Sequence, residues 1–368
     1  MRLQLVVVAL VATVGTAHAD GVMSMRGVYY KERATRVIQP MLDGSFTVGN
    51  AGLVNAHFLV DAITSASGAA GAENAQPFTE NRYEAGGSYA HELKNLRLAV
   101  QGRFSDESDY TSLFGAVRGE LDLAQKNTVL GLGVGAGHDT ISRGAAQGPV
   151  SPEIECSPGD VRGECELTTM TMFASVTQIL SKNAVAALTY DLARLDGYQA
   201  NPYRQALTET GLVPERHPEE RLRQAFAASL RYFVPATQTT LIGVYRYYQD
   251  DWDLHAHTPE LRLVQQVSHT ADAAVRYRFH TQDRAFFYRD RYPTGDVTMQ
   301  EFLSDDVKLD AHSTHLVEAK LGILGEAFGM SGRWEGARFE GILQYALLHP
   351  RFGNAIVAHV ALTVPFDY

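Results

Sequence analysis

Carboxylate and imidazole side chains lie close together in one polar segment of this sequence, residues 245–257. On an extended chain, alternate residues point the same way, so Asp253, His255 and His257 are expected to share one face. A carboxylate with two imidazoles is a donor set for Zn or Cu, and the three residues are therefore a candidate metal site of unspecified metal. The alternative is a polar hairpin tip without a metal.

The spacing of Asp253 and His255 also resembles the Asp-x-His dyad of outer-membrane proteases. A base oriented by a carboxylate is what a water-activating site needs. This resemblance implies a hydrolase, but the sequence places no second acid pair beside the dyad. An enzymatic role is therefore the less favoured reading.

A second segment, Asp-Ala-Ile-Thr-Ser-Ala-Ser at residues 61–67, resembles the acceptor sequence read by periplasmic flavin transferases. By that resemblance Asp61 is the leading acid, Thr64 the hydroxyl position and Ala66 the fixed alanine. Ser67 is then the acceptor that would carry FMN covalently through its phosphate. Ser65 stands where the pattern usually has glycine, and the alternative is an outer loop of small residues.

The chain has two cysteines, Cys156 and Cys165, in a Pro- and Gly-containing loop. In an exported protein the pair is expected to close a structural disulfide. A redox-active pair is the alternative, although the spacing is not that of a Cys-x-x-Cys motif.

The first residues have the pattern of a secretory signal. Arg2 precedes a short apolar run, and Ala17-His18-Ala19 predicts cleavage before Asp20, which leaves residues 20–368 as one domain. The net charge is −10, and removing the signal with its single arginine makes it more negative by one. Such acidity argues against nucleic acid as a partner.

The mature chain is dominated by strict alternation of apolar and polar residues over segments of about ten residues. Leu96, Leu98, Val100 and Phe104, for example, alternate with polar residues. Tight connections such as 93–95, 181–183 and 268–270 alternate with long ones at 140–166, 196–220 and 284–306. This rhythm predicts a transmembrane antiparallel up-and-down β-barrel in the outer membrane of a Gram-negative bacterium, in contact with outer-membrane lipid.

The strand count depends on the N-terminal residues 22–48. Counting back from the last strand gives fourteen strands between residues 52 and 368. An N-terminal hairpin would make about sixteen, which we favour, whereas the alternative is fourteen strands and an N-terminal plug in the lumen. The chain ends must meet in either case, because lipid tolerates no open sheet edge.

The polar face of these strands is dense with charge of both signs, which predicts ion pairs between neighbouring strands inside the barrel. Four glycines, at 131, 133, 135 and 137, lie on one face of a single strand. They indicate close backbone approach or bending rather than a phosphate loop.

Several stretches together resemble a bacterial family of outer-membrane barrels known as domain of unknown function 3570 (DUF3570). They span nearly the whole mature chain and occupy residues 30–32, 61–67, 196–204, 215–221, 245–252, 276–278, 285–288 and 305–309. The resemblance implies association with a periplasmic flavin transferase, a thioredoxin-like protein and a small lipoprotein.

Two functions of different classes follow. The first is a barrel component of an extracytoplasmic flavin-linked redox system that carries FMN on Ser67. The second is a porin-like channel or receptor for small solutes without flavin, constricted by the long loops.

Overall fold

A closed β-barrel makes up most of the computed structural model, which describes residues 21–33, 35–66, 77–143, 153–157, 159–209, 211–293, 302–351 and 353–366. Within these ranges, sixteen of the twenty strands close into one antiparallel barrel. The other four strands form two small sheets, β8 with β9 and β12 with β13. The twenty strands are β1 (Gly21–Lys31), β2 (Thr35–Val48), β3 (Gly52–Ala66), β4 (Pro77–Leu93), β5 (Leu96–Asp106), β6 (Tyr110–Leu123), β7 (Thr128–Ser142), β8 (Ile154–Ser157), β9 (Asp160–Arg162), β10 (Glu164–Ser181), β11 (Ala184–Gly197), β12 (Gln205–Thr208), β13 (Gly211–Pro214), β14 (Glu220–Val234), β15 (Thr239–Asp250), β16 (His255–Ser268), β17 (Ala271–Gln282), β18 (His312–Leu324), β19 (Arg338–Leu347) and β20 (Asn354–Phe366).

The N-terminal hairpin, β1 and β2, is part of the barrel wall. Strand β1 pairs with β20 from Gly21 opposite Phe366 to Lys31 opposite Ile356, and this pairing closes the sheet. The favoured count of sixteen strands is therefore confirmed, and the alternative of an N-terminal plug is wrong. The predicted signal peptide, residues 1–19, lies outside the described residues.

Side chains alternate between lipid and lumen as the sequence pattern predicts. The outward face of β7 carries Leu132, which is 65% exposed, and that of β20 carries Val360, which is 66% exposed. Such exposure of large apolar residues on a protein surface fits a wall solvated by lipid tails. Exposed tyrosines lie toward both ends of the wall, Tyr245, Tyr277 and Tyr345 at one end and Tyr89 and Tyr232 at the other.

The two ends of the barrel differ in the length of their connections. Residues 94–95, 182–183 and 269–270 are tight turns at one end, whereas residues 143–163, 198–219 and 283–311 are long connections at the other. Short turns are periplasmic in outer-membrane barrels, so the long connections lie outside. One periplasmic connection is longer, because 3-10 turns at Gly325–Phe328 and Gly332–Trp334 fold residues 325–337 between β18 and β19.

Helical segments are few and short, and the longest of the three 3-10 turns in the described residues, which include Val307–Leu309, has four residues. None of the described helices has the length and hydropathy to span a bilayer.

Candidate functional site

The barrel lumen contains two cavities that share part of their lining. The first, which we call the lumen cavity, has a volume of about 680 Å³ and extends from β3 to β15. The second, the inner cavity, measures about 480 Å³ and reaches Val22 and Ser45 near the periplasmic end. Asn55, Ser88 and Gln101 line both cavities. The two volumes therefore adjoin one another along the lumen wall, with polar side chains where they meet.

A paired ladder of charges fills the opposite wall, from β16 to β19. Arg276 lies 2.5 Å from Glu318 and 3.6 Å from Glu260. Toward the periplasm, Lys320 lies 2.5 Å from Glu340, and Arg338 bridges Glu340 and Asp272. Opposite charges on neighbouring strands are paired here, as the sequence predicted, although Arg262, Arg276 and Arg278 share the single carboxylate of Glu260.

Glycines on β7 make room for large side chains in the lumen cavity. A Cβ atom at Gly135 would lie 2.7 Å from the Phe114 ring and 2.8 Å from Thr171 Oγ1. The Arg118 guanidinium stacks 4.4 Å from the centre of the Phe173 ring and lies 2.9 Å from Glu120. The absence of Cβ atoms on this glycine face therefore leaves the space in which the aromatic and cationic groups pack against the wall.

Two arginines of the lumen cavity differ from those of the ladder. Arg223 on β14 and Arg246 on β15 have no carboxylate within ion-pair distance among the described residues, and Arg223 Nε is buried without a hydrogen bond. Arg246 lies 5.8 Å from the centre of the Tyr248 ring. Neighbouring Arg221 is instead paired with Asp250 at 2.5 Å. The lumen cavity thus holds two cations that the protein itself does not neutralise.

Above the barrel, the described parts of residues 198–219, 251–254 and 283–311 pack into one unit, which we call the outer cap. Trp252, Phe287 and Tyr288 form its buried apolar centre. The backbone of Arg216 pairs with that of Leu303 through hydrogen bonds of 3.0 and 2.8 Å. The cap is therefore an ordered unit formed by segments far apart in sequence.

A chain of hydrogen bonds lies inside the cap. Ser304 Oγ is 2.9 Å from Glu215 Oε1 and 3.0 Å from His217 Nε2, while His217 Nδ1 is 3.1 Å from the Gln199 carbonyl oxygen. Burial raises the pKa of Glu215 to about 7 and lowers that of His217 to about 4. The Ser304 side chain is fully buried and joins the cap segments, while a cavity of about 400 Å³ is lined by Glu215 and His217.

The candidate flavin segment begins inside the lumen and ends at the outer rim. Asp61 is buried and bonds Arg82 at 2.7 Å and Gln39 Nε2 at 2.5 Å. Thr64, Ser65 and Ala66 are the last residues of β3, and Ser67 lies outside the described residues. Asp61 therefore has a structural role in the wall, while the attachment of FMN to Ser67 stays a prediction.

Of the candidate metal residues, His255 and His257 lie beside the same Tyr247 ring, whereas Asp253 departs from their face. Asp253 has φ 64°, in the left-handed region, so the chain is not extended there. His255 Nδ1 lies 3.2 Å from the Asp253 backbone carbonyl, and the expected Asp-x-His dyad through the carboxylate does not form. His257 Nδ1 bonds the Tyr245 hydroxyl at 2.6 Å on the outward face.

Three carboxylates that the sequence reading did not single out do converge. In the described part of the chain, Glu80, Glu107 and Asp109 are the one group of three or more potential ligands whose ligand atoms lie within 4.8 Å of one another. Burial and the nearby Glu80 raise the pKa of Glu107 to about 7. They lie on β4 and on the short outer connection after β5, more than 25 residues apart, so no local motif could have revealed them.

The two cysteines form the predicted disulfide, Cys156–Cys165, which joins the small β8–β9 sheet to the start of β10. Cys165 packs against Ile141 and Ile154 in a small apolar cluster. The bond therefore anchors the long connection after β7 to the barrel rim.

Comparison with known proteins gives one family and a set of structural neighbours. The family described as "Protein of unknown function (DUF3570)" matches residues 70–333. A bacterial polysaccharide outer membrane secretin has a similar structure, with a TM-score of 0.54, 7% sequence identity and coverage of 96% of this chain and 100% of its own. The outer membrane protein opdK from Pseudomonas aeruginosa is less similar, with a TM-score of 0.49, 9% identity and coverage of 95% and 99%. No curated protein matches the chain. At these identities the structural likeness supports the barrel fold alone.

Proposed function

This chain belongs to the DUF3570 family of proteins of unknown function, and from that premise we propose that it is a porin-like channel for small solutes. It is a β-barrel of the bacterial outer membrane, closed by sixteen strands within the described residues. Barrels of this size can enclose an aqueous lumen. The proposal concerns what that lumen does.

The observation that carries the proposal is the shared path of the two cavities. The lumen cavity and the inner cavity have common lining residues, and together they run from the level of Tyr248 to that of Ser45. Serine, asparagine and glutamine side chains are common to both linings and can replace part of a solute's hydration shell. A barrel built only as a scaffold has no need of such a path beside its paired ladder.

The outer cap limits what can enter. Its apolar centre and the Arg216–Leu303 pairing fix the long connections over one side of the mouth. In channels, such folded constrictions set the size and type of solute. We therefore expect narrow conductance rather than that of a wide general pore.

Single-channel recording in planar bilayers tests the proposal. The purified barrel, without flavin, should give steady open current. Ala193 lines the lumen cavity on β11, whereas Ala186 on the same strand faces lipid beside Leu230. Ala193→Phe should reduce the conductance and Ala186→Phe should not. Folded protein that inserts and stays closed would contradict a channel.

A second proposal retains the flavin. Strand β3 ends at Ala66, at the outer rim, so the predicted acceptor directly follows a barrel strand. The bond would be a phosphodiester between the Ser67 hydroxyl oxygen and FMN, formed when that oxygen loses its proton and displaces AMP from the pyrophosphate bond of FAD. It would have to form before the barrel inserts, because the transferase is periplasmic.

Intact-mass spectrometry after co-expression with a periplasmic flavin transferase separates the two proposals. An FMN adduct present in the parent and absent from Ser67→Ala would favour the redox component and its implied partners, the thioredoxin-like protein and the small lipoprotein. Parent protein that folds as a barrel without an adduct would remove the flavin proposal for this chain.

A further inference from the structure

Charges in the lumen are paired unequally. The ladder from β16 to β19 joins its arginines and lysine to carboxylates at 2.5–3.6 Å. On the other side, Arg97 and Arg118 share Glu120 at 3.0 and 2.9 Å, while Arg223 and Arg246 have no carboxylate partner among the described residues. Two arginines without a carboxylate partner therefore line the same cavity.

The whole lining of the lumen cavity carries excess positive charge. Its charged lining residues are four arginines and two carboxylates, namely Arg97, Arg118, Arg223, Arg246, Glu120 and Asp191. The protein as a whole has a net charge of −10, so the positive lining is not a consequence of overall composition. A cleft lined by one sign of charge with low-dielectric walls concentrates ions of the opposite sign.

Partial burial makes it costly to leave Arg223 without a hydrogen-bond partner, whereas Arg246 is exposed to the cavity. Arg223 is half-buried, and its Nε has no hydrogen-bond partner in the described structure. A buried guanidinium nitrogen without an acceptor loses the hydrogen bond it had in water. An oxygen acceptor from a bound solute would supply it.

We propose that the lumen cavity is a binding site for small organic anions, whose carboxylate or phosphate oxygens pair with Arg223 and Arg246. Guanidinium groups bind such oxyanions through charge-assisted, often bidentate hydrogen bonds. The rings of Phe114, Phe173 and Tyr248 line the same cavity and can cover the apolar part of the anion. The cavity volume of about 680 Å³ fits a solute of modest size.

The proposal deepens the channel function, on which its transport role rests, but the binding step can be measured alone. Calorimetric titration of the detergent-solubilised barrel with inorganic phosphate and with benzoate should show saturable binding of at least one probe. Arg223→Gln and Arg246→Gln should each raise the Kd about tenfold, the loss expected for one charge-assisted hydrogen bond. Arg246→Lys, which keeps the charge, should retain more affinity than Arg246→Gln.

Arg231→Gln is the matched control, since Arg231 also lies on β14 but outside the lumen cavity and toward the periplasmic end. Heat-modifiable mobility in gel electrophoresis confirms that every variant is folded. Binding of phosphate alone would assign the site to phosphate esters, and binding of both probes to oxyanions in general. Absence of saturable binding, or equal loss in Arg231→Gln, would overturn the proposal.

Reversal potentials in a KCl gradient then connect binding to transport. The parent should prefer chloride over potassium, and Arg223→Gln combined with Arg246→Gln should shift the reversal potential toward cation preference. A current without anion preference, in a protein that binds no anion, would support the channel function and overturn the proposed anion site. Anion binding without any current would support the proposed binding site and contradict the proposed channel function.

Discussion

Glu215, Ser304 and His217 occupy one hydrogen-bonded chain whose protons are fixed by its two ends. The Gln199 carbonyl can only accept, so His217 Nδ1 carries the proton and Nε2 is unprotonated in the neutral ring. Ser304 Oγ donates to Glu215 Oε1, which also accepts the Asp305 backbone N–H at 2.8 Å. The raised pKa of Glu215 and the lowered pKa of His217 agree with this neutral arrangement.

These shifts predict opposite pH dependences for the two residues. Folded Glu215 holds its proton up to about pH 7, so its contribution to cap stability falls as pH rises from 4.5 to about 7. Folded His217 stays neutral down to about pH 4, so its contribution falls as pH drops from 6.5 to about 4. The two pH dependences of cap stability have opposite signs and cancel between pH 4.5 and 6.5. The stability of the parent cap should therefore change little with pH in that range.

Glu215→Gln mimics the protonated acid and removes the pH dependence of cap stability that Glu215 contributes. The cap of this variant should lose stability as pH falls from 6.5 to about 4, by up to about 3 kcal/mol. Fluorescence of Trp252, whose ring centre lies 5.5 Å from that of His217, reports cap opening in a Trp334→Phe background. Asp290→Asn, on an exposed ion pair of the same cap, is the control. If the cap stability of Glu215→Gln changed as little with pH as that of the parent, the assigned proton positions would be wrong.

The contacts of individual side chains were harder to predict from the sequence than the strands were. Asp253, His255 and His257 are neighbours in the chain, yet the left-handed backbone at Asp253 separates its carboxylate from His255. Glu215 and Ser304, by contrast, bond across 89 residues. Local spacing assumes a backbone conformation, whereas tertiary contacts of connecting segments have no local signal.

At the scale of elements, the period-two pattern predicted the strands because each wall strand has lipid on one side and water on the other. The pattern was weakest in the N-terminal hairpin, and the structure gives a reason. Pairing of β2 with β3 is interrupted at Gln39 and Pro40, where proline lacks the N–H that a ladder needs. The cap could not be predicted, because irregular segments have no period.

Trp252 is the element-scale test of the cap. It is 2% exposed, stacks 3.9 Å from the Arg221 guanidinium and donates its indole N–H to the Glu220 carbonyl at 3.1 Å. Trp252→Ala should destabilise the cap by about 3–5 kcal/mol and raise the single-channel conductance, because the constriction loosens.

Trp334→Ala is the matched control for that change. Trp334 lies on the periplasmic connection between β18 and β19 and is 42% exposed. The Trp334→Ala substitution should leave both the conductance and the barrel stability close to those of the parent. Unchanged conductance in Trp252→Ala, with the cap shown by protease sensitivity to be loosened, would mean that the cap does not constrict the path.

On the scale of the whole molecule, closure is what makes the barrel compatible with lipid. The β1–β20 pairing joins the first and last strands, and the ring of Phe366 packs 5.5 Å from that of Phe46 beside this seam. An open edge would expose unpaired N–H and C=O groups to hydrocarbon, at several kcal/mol each. The stability of the wall therefore depends on the hairpin that the sequence pattern marked least clearly.

Deleting residues 21–48 should accordingly prevent folding in vesicles rather than yield a smaller channel. The deletion leaves β20 and β3 as edges, and joining them would require both strands to take new tilts and registers around a fourteen-strand circumference. Heat-modifiable mobility and the β-sheet circular dichroism signal measure the outcome. Replacing β12–β13, Gln205–Pro214, by a short Gly-Ser linker removes cap but no wall, and that variant should still fold. A folded, conducting deletion variant would show instead that the remaining strands can close on their own, and the hairpin would then be an addition to a complete fourteen-strand wall.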